Sequence, residues 1–367
     1  MLVLGTCCHK GIRCDGLEPY KIFVMQSERP DGRLKLMYAP ITNSLMQGLQ
    51  SREQECGYHT VLVLPPTRQE IFQYPEPPGR GDVVIYVGTL NSSTFMERCR
   101  NEMGPNGTYC IWYQVEPREW PNESLSPSEG VCEVWEYTRG NTPRAPLVRY
   151  VPPGFVPVEE TLEANDQLVK WRVKTVNPST LRWFFIGRLG PIRQICWDRL
   201  RSLKYFKHHE LQRIPQGGPK RYEKVYTVED WRKLGRLKNA VFINFHQACN
   251  REQPLETKPL ETVRIAQLMS LGFLVVSEEV NSIDQRLYQD IVLTEKDFLN
   301  DKRWSPYLLA LLENKSAMVE WQLRAYELFK QRFRPSKILH DAHVWDGGVR
   351  NTVTCGKKMV WIRSCSA

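Results

Sequence analysis

Apolar and polar positions along the chain predict an α/β protein built from two successive sets of strands and helices. In the first half, short apolar runs bounded by Pro, Gly and Asn predict strands at 21–25, 60–64, 82–87, 108–115 and 131–135. Helices are predicted between these strands at 41–50 and 93–103, an order that favours a sheet covered by helices. The prolines of 149–155 argue against a regular element in that segment.

The second half continues the alternation after a polar segment, 156–178, which is predicted to cross between two domains. Strands are predicted at 183–186, 224–228, 240–245, 273–277 and 291–293, and helices at 191–205, 228–237, 261–271 and within 302–314. The segment 316–333 predicts the longest amphipathic helix. We therefore predict an N-terminal domain at 1–170, a C-terminal domain at 171–335 and an unassigned tail at 336–367.

Residues 242–280 predict a strand, a polar loop, a buried helix and a second strand. Gly272 ends the helix, and the unbroken β-branched strand after it is typical of the interior of a parallel sheet. In open parallel sheets, ligands bind outside the carboxyl ends of the strands. The polar residues predicted to lie at this edge, and thus to form a ligand site, are Asn244, His246, Glu261, Arg264, Ser277 and Glu278.

The turn 184–193 reads FFIGRLGPIR and joins a predicted strand to a predicted helix. Gly187 lets a ligand approach the backbone, the helix N-terminus presents free N–H groups, and Arg188 and Arg193 add cationic groups for phosphate oxygens. The alternative is a tight turn with arginines on the surface. The turn has neither the dinucleotide fingerprint nor the P-loop pattern, so neither of those protein classes is supported.

Glu261 and Arg264 are three residues apart and are therefore neighbours on one helix face. A carboxylate in the first turn can accept two ribose hydroxyls, and the arginine can reach a diphosphate. The alternative is a simple salt bridge. His246 is either a hydrogen-bonded core residue or a base, and Glu278 either binds a hydroxyl or backbone N–H or caps the next turn.

Two carboxylates in the first half follow aromatic strands, Glu116 after 112–115 and Glu136 within 134–137. Aromatic rings beside polar groups suit sugar rings, and a carboxylate that faces the cleft between the domains is a candidate general base for an acceptor hydroxyl. The alternative for both is an aromatic core with a solvated acid beside it.

The 367 residues carry a formal net charge of +9, but the basic residues are scattered and no nucleic-acid-binding motif accompanies them. A pocket for an anionic phosphate ligand, or a solvated basic surface, explains this charge better than a duplex-binding face. The chain has no apolar run of the ~18 residues that would span a membrane. We therefore expect no integral membrane segment.

Eleven cysteines are widely spaced and include no CxxC pair, so reduced thiols and a cytoplasmic protein are expected. The cluster of Cys7, Cys8, His9 and Cys14 does not have a usual zinc-site spacing, and no metal ligands are predicted. Sequons for N-glycosylation, which matter only in a secreted protein, begin at Asn91, Asn106, Asn122 and Asn314.

Several of these stretches, in this order, resemble GT-B glycosyltransferases of the bacterial or viral type. Residues 183–193 resemble the strand-Gly-x-Leu-x-x-x-Arg opening of that family's C-terminal half, and 244–278 resemble its Asn-x-His … Glu-x-x-Arg-Ile … Val-Val-Ser-Glu run. Residues 134–137 and 150–154 resemble the strand and the Val-Pro-x-Gly exit that close its N-terminal half. The resemblance covers about residues 110–335.

The resemblance implies two Rossmann-like α/β domains that face a cleft, with a long C-terminal helix, a nucleotide-sugar co-substrate and no obligatory metal or other cofactor. Donor roles carry over to matching positions, namely Gly187, Arg193, His246, Glu261 and Arg264. Pro259 and Gln267 stand where many retaining members carry paired glutamates, so retention or inversion stays open.

We therefore expect a metal-independent glycosyltransferase that moves a hexose or pentose from a nucleoside-diphosphate sugar to a hydroxyl of a glycan, lipid or protein. The donor-binding candidates are Gly187, Arg188, Arg193, Asn244, His246, Glu261, Arg264 and Glu278, with Glu116 or Glu136 as the base. The alternative is a non-enzymatic protein on a double-Rossmann frame that binds a nucleic acid or another partner. Nucleic acid is not the expected ligand because no binding motif accompanies the charge.

Overall fold

A computed structural model describes residues 20–26, 34–56, 58–63, 77–79, 82–88, 93–115, 133–137, 148–187, 189–214, 228–246, 249, 254–342, 353–355 and 358–360. Within these residues, two separate parallel β-sheets follow one another along the chain. No described helix is both long enough and apolar enough to cross a membrane.

The first sheet contains six described strands, which pair in the order β2-β1-β3-β4-β5-β6 and are all parallel. They are β1 (Tyr20–Gln26), β2 (Tyr58–Val63), β3 (Val83–Gly88), β4 (Tyr109–Gln114), β5 (Glu133–Glu136) and β6 (Val148–Tyr150). Every residue of β3, β4 and β5 is buried, as expected when both faces of a parallel sheet are covered. The five predicted strands of this half are confirmed.

The helices of this half are α1 (Leu34–Gln50), α2 (Glu53–Cys56) and α3 (Ser93–Arg98), which continues as a π-helical turn at Cys99–Met103. Both predicted helices are therefore confirmed, although α1 begins seven residues earlier than predicted and contains Pro40. The prediction that 149–155 has no regular element is wrong at its start, because β6 adds a short sixth strand before the prolines.

Helix α4 (Leu162–Lys174) lies in the segment that was predicted to cross between the domains, and no helix was predicted there. The apolar face of α4 is narrow, because its buried residues are Asn165, Val169, Arg172 and Val173. Thr161 caps the helix by accepting from the N–H of Ala164. The predicted domain boundary between residues 170 and 171 falls inside this helix.

The second sheet contains five described parallel strands in the order β11-β10-β9-β7-β8. They are β7 (Arg182–Ile186), β8 (Glu210–Ile214), β9 (Ala240–Asn244), β10 (Leu274–Glu278) and β11 (Leu293–Glu295). The helices around it are α5 (Pro191–Ser202), α6 (Val228–Gly235), α7 (Thr262–Ser270), α8 (Ser282–Leu287), α9 (Pro306–Glu313) and α10 (Lys315–Arg332). The predicted strand–helix–strand unit at the centre is confirmed as β9, α7 and β10.

Three predictions in this half need correction. Strand β8 was not predicted, because it lies at the sheet edge and its residues are mostly exposed and polar. The strand predicted at 291–293 begins only at Leu293. Of the strand predicted at 224–228, residues 224–227 lie outside the described part, and Val228 begins α6 instead.

After α10 the chain forms α11 (Pro335–Asp341), which packs against α1 of the first half. The carbonyl of Phe333, just before α11, accepts from the N–H of Phe155 at 2.8 Å. The tail also contains a small antiparallel pair, β12 (Val353–Cys355) and β13 (Lys358–Val360). Part of the unassigned tail therefore contacts the first domain.

Candidate donor site

The turn after β7 contains the glycine that was expected to face a phosphate. Gly187 has φ +156°, which residues with a side chain rarely adopt. A Cβ atom here would lie 2.8 Å from Cζ of Phe185 and 3.3 Å from Nη2 of Arg264. The N–H of Gly187 donates to the carbonyl of Ile214 on β8 at 3.2 Å. Gly187 thus allows close packing against Arg264, while Arg188 lies outside the described residues.

Two arginines and one glutamate form a buried cluster at the carboxyl edge of the second sheet. Arg193, in the first turn of α5, donates from Nη2 to Oε1 of Glu261 at 2.8 Å. Arg264, in the first turn of α7, donates from Nη2 to Oε2 of the same carboxylate at 3.1 Å. The salt bridge between Glu261 and Arg264, which was the alternative to ligand binding, is therefore present, and Arg193 joins it from a separate helix.

Electrostatic attraction keeps this cluster ionised although it is buried. Burial alone raises the pKa of Glu261, but the charges of Arg264 and Arg193 outweigh burial and leave that pKa below its usual value. Burial lowers the pKa of Arg264 to about 10, against the opposing attraction of Glu261. At neutral pH the two guanidinium groups and one carboxylate carry a net charge of +1, which favours an anionic ligand.

Asn244 and Phe185 hold the arginines in place. Oδ1 of Asn244, at the end of β9, accepts from Nη1 of Arg264 at 2.8 Å, and its Nδ2 donates to Oγ of Ser277 at 2.9 Å. The centroid of the Phe185 ring lies 5.1 Å from Cζ of Arg264 and 5.6 Å from Cζ of Arg193. Both distances fall within the range of cation–π attraction, so one buried ring supports both cations.

His246 and Glu278 form a second pair beside the cluster. The backbone N–H of His246 donates to Oε1 of Glu278, one of the two roles expected for this carboxylate. Burial raises the pKa of Glu278 to about 7, against the opposing effects of that hydrogen bond and of Lys258. Burial also lowers the pKa of His246, so the imidazole is neutral at physiological pH.

The first domain reaches this edge through Tyr137, directly after β5. Its carbonyl accepts from Oγ1 of Thr262, in the first turn of α7, at 3.1 Å. Glu136 has no exposed surface, and its Oε1 accepts from the N–H of Tyr137 at 3.1 Å. Because a general base must touch the acceptor hydroxyl, Glu136 has to become accessible before it can act. Glu116 lies outside the described residues.

Sequence reasoning assigned no role to Phe185 or Lys258, and it considered Tyr137 only as one of the aromatic residues of 134–137 that suit a sugar ring. Phe185 stands two positions before Gly187, and alternate residues of a strand share a face, so its place beside the site could have been found. Tyr137 is more than a hundred residues away from α7 in sequence, and Lys258 lies in a polar loop. Nothing in the local sequence indicates that Tyr137 contacts α7 or that the charge of Lys258 acts on Glu278.

A disulfide between Cys196 and Cys249 lies next to the cluster, with the two Cα atoms 6.4 Å apart. Cys196 is one turn beyond Arg193 on α5, and the N–H of Cys249 donates to the carbonyl of His246 at 3.2 Å. The bond therefore joins α5 to the loop after β9. Because disulfides persist in oxidising compartments, the expectation of reduced thiols is wrong for this pair, and a cytoplasmic location stays a prediction.

The sequence matches no known protein-family profile and no curated protein sequence. Among solved structures, the chain is similar to an α1,3-fucosyltransferase, with 14% sequence identity, 91% of each chain covered and a TM-score of 0.50. It is also similar to Alr3699/HepE of Anabaena, solved with UDP and glucose, with 11% identity, 88% of this chain and 98% of that chain covered and a TM-score of 0.49. The two parallel sheets and the fucosyltransferase likeness together show that the chain has the GT-B architecture of two Rossmann-like α/β domains that face a cleft.

Proposed function

We propose that the protein is a glycosyltransferase that moves a hexose or pentose from a nucleoside-diphosphate sugar to an acceptor hydroxyl without a bound metal ion. The observation that carries this proposal is the buried Arg193–Glu261–Arg264 cluster at the carboxyl edge of the second sheet. Sugar transfer releases a diphosphate, so the main electrostatic demand is positive charge beside the leaving group. Two oriented guanidinium groups meet that demand.

The donor would rearrange the contacts within this cluster. Each arginine donates one hydrogen bond from Nη2 to Glu261, and Arg264 also donates from Nη1 to Oδ1 of Asn244. A diphosphate that binds the two guanidinium groups releases the Glu261 carboxylate for the vicinal hydroxyls of the donor ribose. Because the carboxylate and the diphosphate share the same two cations, ribose and diphosphate binding are expected to be mutually dependent.

On the acceptor side, Glu136 and Glu116 remain the hypothesised bases. Burial of Glu136 places one condition on this role, namely that Tyr137 moves to expose the carboxylate when the acceptor enters. A glycan, a lipid or a protein can supply the hydroxyl. The arginine cluster does not select among these acceptors because it lies on the donor side.

The first test is a thermal-shift panel of nucleoside diphosphates, run with and without EDTA. A ligand at about a hundredfold excess over its dissociation constant stabilises the folded protein by about 2.7 kcal/mol. We expect one or two diphosphates to raise the melting temperature, with no effect of EDTA. The shift should disappear in Arg193→Ala and persist in Arg199→Ala, which removes an exposed arginine from the same helix.

If no diphosphate shifts the melting temperature of folded wild-type protein, the glycosyltransferase proposal is wrong. The alternative, a binding protein with the same fold, can then be tested by measuring nucleic-acid binding at increasing salt concentration. Nucleic-acid binding that weakens steeply as salt rises would support it, because phosphate contacts release counterions.

A further inference from the structure

A second polar cavity lies on the second domain, away from the arginine cluster. It has a volume of about 610 Å³ and opens between α8, β11, α9 and α10. None of its lining residues belongs to the candidate donor site. Strand β11 is the edge strand of the second sheet, so the cavity lies along the outer margin of that sheet.

Two aromatic rings form one wall of this cavity. Tyr307 is 56% exposed, the most exposed large apolar side chain among the described residues. Its ring packs edge-on against Trp321, with centroids 6.1 Å apart, and Cζ of Arg324 lies 5.0 Å from the centroid of the Trp321 ring. Trp321 thus contacts the tyrosine ring on one side, and much of that tyrosine is open to a ligand.

Trp321 also has an unused hydrogen-bond donor. The residue is 7% exposed, and its Nε1 atom is buried without a hydrogen-bond partner within the described part of the chain. Buried indole N–H groups usually find a partner, because leaving a buried donor unsatisfied costs free energy. Because Nε1 itself has almost no exposed surface, an acceptor oxygen of a ligand in the cavity would satisfy it only when the indole ring moves to expose it.

Other residues that line the cavity carry amide, hydroxyl and charged groups. Gln285 donates from Nε2 to Oγ1 of Thr294 at 3.3 Å, and Gln289, Asp290 and Arg286 are exposed at the rim. These groups offer both hydrogen-bond donors and acceptors. The charges of Arg286 and Arg324 are partly offset by Asp290, so the cavity favours a hydroxyl-rich ligand over a strongly anionic one.

We propose that this cavity binds a carbohydrate chain, with one sugar ring against Tyr307 and an acceptor oxygen at Nε1 of Trp321. Sugars combine an apolar C–H face with many hydroxyls, which matches an aromatic wall together with amides and charges. A peptide fits less well, because β11 has only three residues and offers few backbone groups for strand addition. The proposal does not depend on the glycosyltransferase activity.

The test is saturation-transfer NMR of the full chain with maltohexaose, chitohexaose, N-acetyllactosamine and a hyaluronan hexasaccharide. At least one probe should bind wild-type protein. Tyr307→Ala should weaken that binding about tenfold or more, and Trp321→Phe, which keeps a ring but removes the N–H, about fivefold. Trp171→Ala is the matched control, because Trp171 is 46% exposed on α4 and lies outside the cavity.

Binding that the Tyr307 and Trp321 changes weaken and the Trp171 change does not would support the site. Binding by no probe, binding that Tyr307→Ala leaves unchanged, or competition by a peptide but not by sugars would overturn it. The diphosphate thermal shift should stay the same in Tyr307→Ala. A failure of this site is therefore distinguishable from a failure of the donor site.

Discussion

At the scale of single residues, the Glu261 carboxylate depends on two arginines. Replacing Arg264 by Met removes one of them and also leaves Oδ1 of Asn244 without its guanidinium donor. Glu261 then keeps Arg193 as its partner but loses the attraction of the second cation, and a buried charge that loses a partner destabilises a protein. We expect Arg264→Met to lower the free energy of unfolding by about 3 kcal/mol, measured by urea unfolding at pH 7.

The double variant Glu261→Gln/Arg264→Met provides the control for this prediction. It removes the carboxylate as well, so the buried Arg193 loses its ion pair with Glu261, and the double variant should be less stable than Arg264→Met alone. If the double variant is more stable than the single one, the remaining Glu261–Arg193 pair does not stabilise the fold, and the loss in Arg264→Met comes from packing around Arg264.

The raised pKa of Glu278 predicts a specific dependence of stability on pH. Its pKa is about 7 in the folded protein against 4.5 for the free group, so the folded state binds more protons between these values. Stability from this group is fully present below pH 4.5 and is lost as pH rises to 7, by about 3 kcal/mol in total. Glu278→Gln should remove this loss while its amide oxygen still accepts from the N–H of His246.

The measurement is the free energy of unfolding of both proteins at pH 5.5 and pH 8, obtained in urea. Wild type should lose more stability than Glu278→Gln over this interval, and the variant should be the more stable protein at pH 8. Parallel pH profiles for the two proteins would show that Glu278 is not protonated near neutral pH.

At the scale of elements, the turn between β7 and α5 sets the position of Arg264. A Cβ atom at Gly187 meets Phe185 at 2.8 Å and Arg264 at 3.3 Å, and the backbone there has positive φ. Gly187→Ala should therefore lower the free energy of unfolding by about 1–3 kcal/mol and reduce the diphosphate thermal shift. Gly190 lies three residues later, has φ −74°, and has no atom within 4 Å of the position of a Cβ. Gly190→Ala should therefore leave the free energy of unfolding nearly unchanged.

Urea unfolding and the thermal-shift panel on both glycine variants check this prediction. If Gly187→Ala and Gly190→Ala have the same free energy of unfolding and the same diphosphate thermal shift, the turn accommodates a side chain at position 187. The position of Arg264 then does not depend on a glycine there.

The elements that the sequence predicts well are those whose burial is uniform. Strand β9, helix α7 and strand β10 are almost entirely buried and mostly apolar, with a clear start and end, and all three are confirmed with small shifts in their bounds. Strand β8 and helix α4 were missed because polar residues dominate both. In α4 the buried Arg172 donates to the carbonyls of Gly235 and Leu271, a long-range contact that no local pattern reveals.

The candidate site likewise contains residues that the sequence places together and contacts that it does not predict. Asn244, Glu261 and Arg264 could be placed together because a strand end and a helix start meet at the edge of a parallel sheet. The Glu261–Arg193 contact joins residues 68 apart in sequence, so spacing could not predict it, and the resemblance implied only a donor role for each residue. The contact of Tyr137 with α7 required the packing of the two domains and could not be predicted.

At the scale of the whole molecule, the chain returns to its first domain after completing the second. Helix α11 packs on α1, where a Cβ atom at Gly48 would lie 2.9 Å from the carbonyl oxygen of Pro335. Near the cleft, Thr262 binds the carbonyl of Tyr137. The linker joins these elements at Gly154, whose N–H donates to Oγ of Ser44 on α1 at 3.0 Å. The two domains are therefore connected by packing as well as by the chain.

Gly154 is the point where α1, α11 and the end of α10 meet. A Cβ atom there would lie 2.6 Å from Oγ of Ser44, 2.9 Å from Cδ1 of Ile338 and 2.9 Å from the carbonyl oxygen of Phe333. Gly154→Ala must therefore separate elements of both domains, at a cost of about 1–3 kcal/mol. We expect calorimetry to show a broader or split thermal transition, because weaker packing between the domains lets each unfold separately.

Gly79→Ala is the control, because it adds the same methyl group to the first domain at 3.5 Å from Oδ2 of Asp82, an ordinary contact distance. It should leave the shape of the transition unchanged. If Gly154→Ala lowers the melting temperature but keeps one sharp transition, the domains unfold together through contacts other than this junction, such as that of Thr262 with Tyr137. If it changes nothing, the three elements have room to move apart, and the junction does not determine how the domains are held together.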